Sequence, residues 1–336
     1  MQDKLFFLIG PPRSGSTLLA RMLGTHSAVH APAEPHLLTP LAHLGYYASV
    51  ESAPYDPIIS RGAIRELVGE LPGGEASYLE ALRAYSDAIY SPLLEASGKR
   101  LLLDKTPAYA LVLDFLAKLY PRSRYVVLTR HPLAIWSSQV QSFFDGDYQA
   151  AHRLNPLLER YVPAMARFLR ERPVPLHHVR YEELVKDPGT QLEGLCEFLG
   201  LEFEPQMVNY GGAPQGLAKA AAGLGDPISV AQETRPTTKF LERWSDEMAG
   251  DPDRVAYAHR ILETLLDEDL AAWGFSRGEI EAQLDAVDGA APRRPRRLSR
   301  YTAQRKLLVV LRRNIHRNAF GRLVQRVRFA CDVLLR

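Results

Sequence analysis

Apolar residues fall along this chain in short unbroken runs, separated by polar turns and by longer stretches with helical spacing. Leu5–Ile9 (LFFLI) is one such run, and it ends at a loop of Gly, Pro and Ser. A short run closed by turn residues reads as a strand buried on both faces. Thr17–Thr25, just after the loop, has the apolar spacing of a helix, so the chain opens with a strand, loop and helix unit. Arg100–Leu103 (RLLL, ending at Asp104), Arg124–Thr129 (RYVVLT) and His177–Arg180 (HHVR) predict three further strands, and Pro132–Val140 and Gln191–Leu199 predict helices. Short apolar strands alternating with helices predict an α/β fold, a parallel sheet flanked by helices on both faces. Residues 36–98 and 145–172 carry helical rather than strand patterning and are expected to pack over the functional edge of the sheet. Residues 211–237, with several Gly and Pro, read as a long ordered loop or lid.

Composition narrows the class. The chain has 336 residues, 46% of them hydrophobic, enough for one large α/β domain with additions. Its two cysteines, Cys196 and Cys331, lie far apart and outside any ligand spacing, so neither a disulfide framework nor a zinc site is expected, and the reducing cytoplasm is the compartment implied. The apolar start is too short for a signal-peptide core, and no run reaches the roughly 18 apolar residues of a membrane span. The net charge of +2 hides an asymmetry: residues 291–336 hold 14 Lys and Arg against one acid, leaving the rest with 27 basic and 38 acidic side chains.

The boundaries follow from that asymmetry. A catalytic domain is expected over 1–285 and a linker over 286–300, beginning with the Ala, Gly, Pro and Arg of Ala286–Arg297. A basic amphipathic helix is expected over 301–336, where Leu308, Leu311, Ile315, Ala319, Leu323, Val327, Ala330 and Leu334 recur at three- and four-residue steps. Such a segment fits an anionic membrane surface, here the inner membrane face, or an acidic carrier protein. It equally fits the acidic body of its own chain or a second subunit in a homodimer. It lacks the interleaved aromatics of a nucleic-acid site.

Chemistry concentrates in "LIGPPRSGSTLLARML", Leu8–Leu23. Gly10 and Gly15 keep the glycine spacing of a nucleotide triphosphate loop, but Ser16 stands where the phosphate-binding lysine would be, before Thr17. What remains is an anion cradle of backbone N–H groups, small hydroxyls and a helix start. Arg13 sits inside it, where a guanidinium can fork onto a phosphate or sulfate oxygen. An ordinary Gly/Ser turn is the structural alternative. A magnesium-dependent small-molecule kinase is the enzymatic one, with Leu101–Asp104 (LLLD) as its metal-holding strand end.

"PRSGSTLL" resembles the 5′-phosphosulfate loop of sulfotransferases that use 3′-phosphoadenosine 5′-phosphosulfate, and "RYVVLTRHPLAIWSS" resembles their 3′-phosphate motif. "DKTP" at 104–107, "VRYEELVKDP" at 179–188, "GLGDP" at 223–227 and "RPTTKFLERW" ending at Trp244 follow in the family's order. The resemblance spans roughly residues 4–275 and includes the bacterial-type branch and the protein-tyrosine sulfotransferases. It implies a P-loop NTPase-like sulfotransferase fold and sulfuryl transfer to an acceptor hydroxyl or amine, with adenosine 3′,5′-bisphosphate as product and no metal. The acceptor class, whether small molecule, carbohydrate, lipid or peptide, is not encoded in these motifs.

The resemblance also assigns residues. Arg13, Ser14, Gly15, Ser16 and Thr17 match the loop around the 5′-phosphate and sulfuryl group, and Arg130 and Ser138 match the 3′-phosphate pair. Tyr181 and Arg235 match cofactor contacts, and Gly223–Ser229 is expected to close over the nucleotide. Leu18 replaces a tryptophan found in other members. Glu34 falls at the position of a catalytic glutamate, and a partly desolvated carboxylate can take an acceptor proton. His36 is the next candidate base, with His26, His30 and His131 behind it. Lys105 and Arg13 are the candidate cations for the departing phosphate oxygen. Asp104 or another carboxylate is the structural alternative partner for Lys105. A non-catalytic nucleotide-binding scaffold is the remaining reading.

Overall fold

A computed structural model describes residues 1–48, 57–144, 146–212 and 233–288. Five strands form one parallel sheet: β1 (Leu5–Ile9), β2 (Val29–His30), β3 (Leu101–Asp104), β4 (Arg124–Thr129) and β5 (Leu176–Arg180). Their spatial order is β2-β3-β1-β4-β5. The register is set by pairs such as Phe6 with Leu103 on one side and Phe7 with Tyr125 on the other.

Alternation along β1 explains why the sheet is buried on both faces. Leu5, Phe7 and Ile9 enter one core with Tyr125, Val127 and Leu176, while Phe6 and Leu8 enter the opposite core with Leu103, Val126 and Leu128. All five β1 side chains are at most 2% exposed. Phe7 packs its ring 4.9 Å from Tyr125 and 5.7 Å from Tyr120. Truncating a buried aromatic of this kind costs about 3–5 kcal/mol.

Four strands stand where the sequence places them, within a residue or so at each end. The fifth, β2, has two residues and no periodicity of its own; it pairs with β3 through Val29 and Leu101. The helices Pro132–Phe144 and Pro188–Leu199 extend the predicted ones, and Ser16–Gly24 sits one residue earlier than Thr17–Thr25. Residues 57–97 depart from expectation. The helices Pro57–Glu70 and Glu75–Ser97 do not cover the sheet's functional edge: the second packs against β3 and the helix Leu113–Leu119. Of residues 36–98, His36 lines the cleft described below.

The last described helix, Arg277–Asp288, ends inside the stretch read as a linker. Most of the stretch read as a lid, with Gly223–Ser229 in it, and the basic segment 301–336 lie outside the described residues. Among the described residues no helix is long and apolar enough to cross a membrane.

Candidate active site

The carboxyl ends of parallel strands are where such sheets hold their ligands, and each strand here delivers a candidate residue at that end. β1 runs into the Gly10–Gly15 loop, β3 into Lys105, β4 into Arg130, β5 into Tyr181, and the chain leaving β2 reaches Glu34. Lys105 apart, they line a cleft of about 490 Å³, within the usual range for a small-ligand site. Arg13, Gly15, Ser16, Thr17, Glu34, His36, Arg130, Ser138, Tyr181 and Arg235 all line it.

The loop turns sharply to enter its helix. Arg13 and Gly15 both adopt left-handed backbone, with φ of 73° and 96°. At Gly15 the requirement is steric as well: a Cβ there would lie 2.5 Å from the Tyr181 ring. Gly15 thus lets the loop lie flat on Tyr181 and start the helix at Ser16, whose first N–H groups have no partner within the helix. Ser14 is fully buried, its side chain packed under Gly10 and its N–H bonded to the Pro11 carbonyl at 3.2 Å. Its buried Oγ has no hydrogen-bond partner among the described residues.

Arg13 and Arg130 join the two halves of the cleft. Arg13 Nε donates to Ser138 Oγ at 3.0 Å, and the guanidinium stands 5.9 Å from the Phe143 ring centre. Arg130 donates from Nη1 to the Arg13 carbonyl at 3.1 Å and from Nη2 to the Phe240 carbonyl at 3.2 Å. Its guanidinium lies 4.4 Å over Tyr181, and its own carbonyl accepts from Trp273 Nε1 at 2.8 Å. Arg130 makes no ion pair among the described residues, and its buried Nε has no hydrogen-bond partner. An arginine held by carbonyls and an aromatic face, with a donor to spare, keeps its charge for an incoming anion.

Glu34 and Lys105 are ion-paired through Glu34 Oε1, and Lys105 Nζ lies 3.4 Å from Thr17 Oγ1 on the loop's helix. The other carboxylate oxygen, Oε2, is 3.4 Å from His36 Nε2. Glu34 is 11% exposed and Lys105 6%, whereas the His36 side chain is 44% exposed. Lys105 is therefore set behind Glu34 and does not line the cleft. His36 has a φ of 51°, uncommon for a residue other than glycine, and its N–H is bonded to Thr106 Oγ1 at 3.2 Å.

Other candidates are committed elsewhere. His26 is buried and bonds the Glu202 carbonyl and the Ala28 N–H, both at 2.9 Å. His131 stacks 4.7 Å from Trp244, and burial, with Arg130 nearby, pushes its pKa down to about 3. His30 is half-buried and does not line the cleft, and burial lowers its pKa too. Asp104 accepts from the hydroxyls of Tyr90, Tyr109 (2.9 Å) and Thr106 (3.4 Å) and is fully buried, which raises its pKa to about 6. It is saturated by hydroxyls rather than open at the strand end as a kinase would need.

Sequence reasoning missed several walls of the cleft. Tyr210, Phe240 and Trp244 line it, with the Tyr210 hydroxyl bonded to the Arg235 carbonyl at 3.1 Å. Glu247 also lines it and accepts from Ser137 at 2.7 Å and Arg243 at 2.8 Å. Trp244 closes a motif already quoted above; nothing local marks Tyr210.

A parallel sheet with a lysine-free anion loop and a second arginine on the neighbouring strand defines a group-transfer enzyme of the P-loop-like architecture. The sequence profile of the sulfotransferase family matches residues 6–205, and the chain belongs to that family. It is 31% identical over 265 residues to nodulation protein NoeE of Sinorhizobium fredii (strain NBRC 101917 / NGR234), an alignment covering 72% of this chain and 60% of that protein's length. It is 21% identical over 258 residues to protein-tyrosine sulfotransferase 2 of Gallus gallus, covering 74% of this chain and 64% of that one. Among solved structures, the sulfotransferase domain from the curacin biosynthetic pathway matches with a TM-score of 0.52 and 25% identity, covering 83% of this chain and 96% of that domain.

Proposed function

We propose that this sulfotransferase takes its sulfuryl group from 3′-phosphoadenosine 5′-phosphosulfate, passes it to a hydroxyl or amine of the acceptor, and releases adenosine 3′,5′-bisphosphate. The observation that carries the reading is the pair of Arg13 and Arg130 on adjacent strand ends, Arg130 donating to the Arg13 carbonyl while Arg13 Nε donates to Ser138. Two fixed guanidinium groups in one cleft match a ligand with an anionic group at each end.

The chemistry follows from the positions of the side chains. Glu34 takes the acceptor proton while the acceptor atom forms its bond to sulfur and the bond from sulfur to the bridging phosphate oxygen breaks. Charge then builds on the departing phosphate oxygen, where Arg13 and the helix-start amides stabilise it. Lys105 reaches both Glu34 and Thr17 of the loop's helix, so one ammonium serves the carboxylate and the anion cradle. No step calls on a metal, because the mixed anhydride arrives already activated.

Titration calorimetry with adenosine 3′,5′-bisphosphate and, separately, with ATP and magnesium tests the donor. The bisphosphate is expected to bind far more tightly. Tight ATP binding with no bisphosphate binding would overturn the reading in favour of a kinase.

A further inference from the structure

A phenol taken out of water needs a partner for its hydroxyl, and the buried tyrosines of this protein show it. Tyr90 and Tyr109 donate to Asp104, Tyr120 to Asp87, Tyr125 to the Leu116 carbonyl and Tyr210 to that of Arg235. Tyr161, 6% exposed, makes no hydrogen bond among the described residues. Its oxygen is not sealed off as Ser14 Oγ and Trp136 Nε1 are, so the exposed part of this side chain includes the hydroxyl, open to the cleft that Tyr161 lines. Burial raises its pKa, which keeps the phenol protonated and able to donate.

The sheet order divides the cleft. Arg13, Arg130 and Tyr181 follow β1, β4 and β5, whereas Glu34, His36, Pro107 and Ala108 follow β2 and β3 on the other side. The first group holds the donor proposed above, which leaves the second to the acceptor. Tyr161 belongs with the second: its helix, Leu157–Glu171, packs on the turn Pro107–Leu111, which follows Lys105 and Thr106, and on the helix Pro132–Phe144. On the latter, Ala134 stands one turn before Ser138 and is a further wall of the cleft. We propose that Tyr161 reads the acceptor, a neutral alcohol whose body packs on Pro107, Ala108 and Ala134, whose reacting hydroxyl meets Glu34 and whose second oxygen accepts from the Tyr161 hydroxyl. This assignment rests on the donor proposed above. None of those walls can pair a charge, and an aliphatic amine would arrive as an ammonium where Lys105 already neutralises Glu34.

Release of adenosine 3′,5′-bisphosphate from the sulfuryl donor tests this with two pairs of probe alcohols, cyclohexanol against tetrahydropyran-4-ol and 1-hexanol against 2-propoxyethanol. Each pair is matched in size and differs by one ether oxygen. The wild type is expected to use at least one ether at a lower KM than its hydrocarbon counterpart. Tyr161→Phe should raise the KM of that ether about fivefold, the worth of one neutral hydrogen bond, and leave kcat, the KM of the hydrocarbon alcohol and the affinity for the bisphosphate as they were. With no internal partner to lose, the variant should melt with the wild type. A structural role would instead raise both KM values alike or lower the melting temperature by several degrees, and either result overturns the proposal. So does an ether preference that survives Tyr161→Phe, or a wild type that binds the bisphosphate yet favours neither ether or turns over none of the four alcohols. Calorimetry on the same preparation separates the remaining outcome: a wild type that fails to bind the bisphosphate sinks the donor reading and takes this assignment with it.

Discussion

The bond from Arg13 Nε to Ser138 Oγ, 3.0 Å long and spanning 125 positions of sequence, ties the loop after β1 to the helix after β4. Arg130 returns the tie by donating to the Arg13 carbonyl at 3.1 Å. The loop and the second arginine are one construction, so a ligand that engages one end meets the other already placed. Ser138→Ala removes an anchor without adding bulk. It is expected to weaken adenosine 3′,5′-bisphosphate binding by about 1 kcal/mol, roughly fivefold, with unchanged thermal stability, as read by calorimetry in parallel with a melting curve.

Glu34→Gln keeps the shape of the side chain and removes its charge. Turnover should fall by about 10²–10⁴-fold, the usual contribution of a positioned base. Affinity for the bisphosphate should not fall, because Lys105 then loses its anionic partner and the cleft becomes more positive. Steady-state rates and calorimetry on one preparation separate the two effects, and a variant with wild-type turnover removes Glu34 as the proton acceptor.

Gly15→Ala places a methyl group 2.5 Å from the Tyr181 ring at a φ of 96°. Either the ring moves or the loop does, and Arg130 rests on that ring. The variant is expected to lose about 1–3 kcal/mol of stability and to bind the bisphosphate more weakly, whereas Gly62→Ala, with open space around it, should stabilise the helix it sits in.

Stability should rise with pH between about 4 and 6. Burial holds His131 near 3 and His178 near 4, below the unfolded value, so the stability each contributes at neutral pH is lost as pH falls. Burial raises Asp104 to about 6, above its unfolded value, so its contribution is present at low pH and lost as pH climbs. Two histidines outweigh one carboxyl, leaving a rise on the order of 1.4 kcal/mol per pH unit from these groups. Asp104→Asn removes the opposing group, and urea unfolding across this range should show a steeper rise; a flatter one contradicts the assignment.

The sheet was legible where apolar runs were long enough to carry a pattern. β1 and β4 show five and six residues bounded by turn chemistry, while Val29–His30 is held as a strand by β3 and by no signal of its own. The sharp turn after β1 was legible because Gly15 has to be a glycine. The inward turn of Ser14 was not, since burial of one hydroxyl depends on Gly10 lying above it. The pairing of Glu34 with Lys105, 71 positions apart, depends on β2 and β3 being neighbours, which single-sequence spacing does not express. The histidines illustrate the same limit: His131 and His36 look alike in sequence, yet one is stacked on Trp244 and the other faces the cleft.

The central claim is that one cleft grips a doubly phosphorylated adenosine, with Arg130 reading the 3′-phosphate. Calorimetric titration of wild type and Arg130→Ala with adenosine 3′,5′-bisphosphate and with adenosine 5′-monophosphate measures that coupling directly. The account predicts that wild type prefers the bisphosphate by about 10–100-fold, the worth of a charged hydrogen bond, and that Arg130→Ala binds the two ligands alike. Equal affinity of the wild type for both nucleotides, or a preference that survives Arg130→Ala, would contradict it.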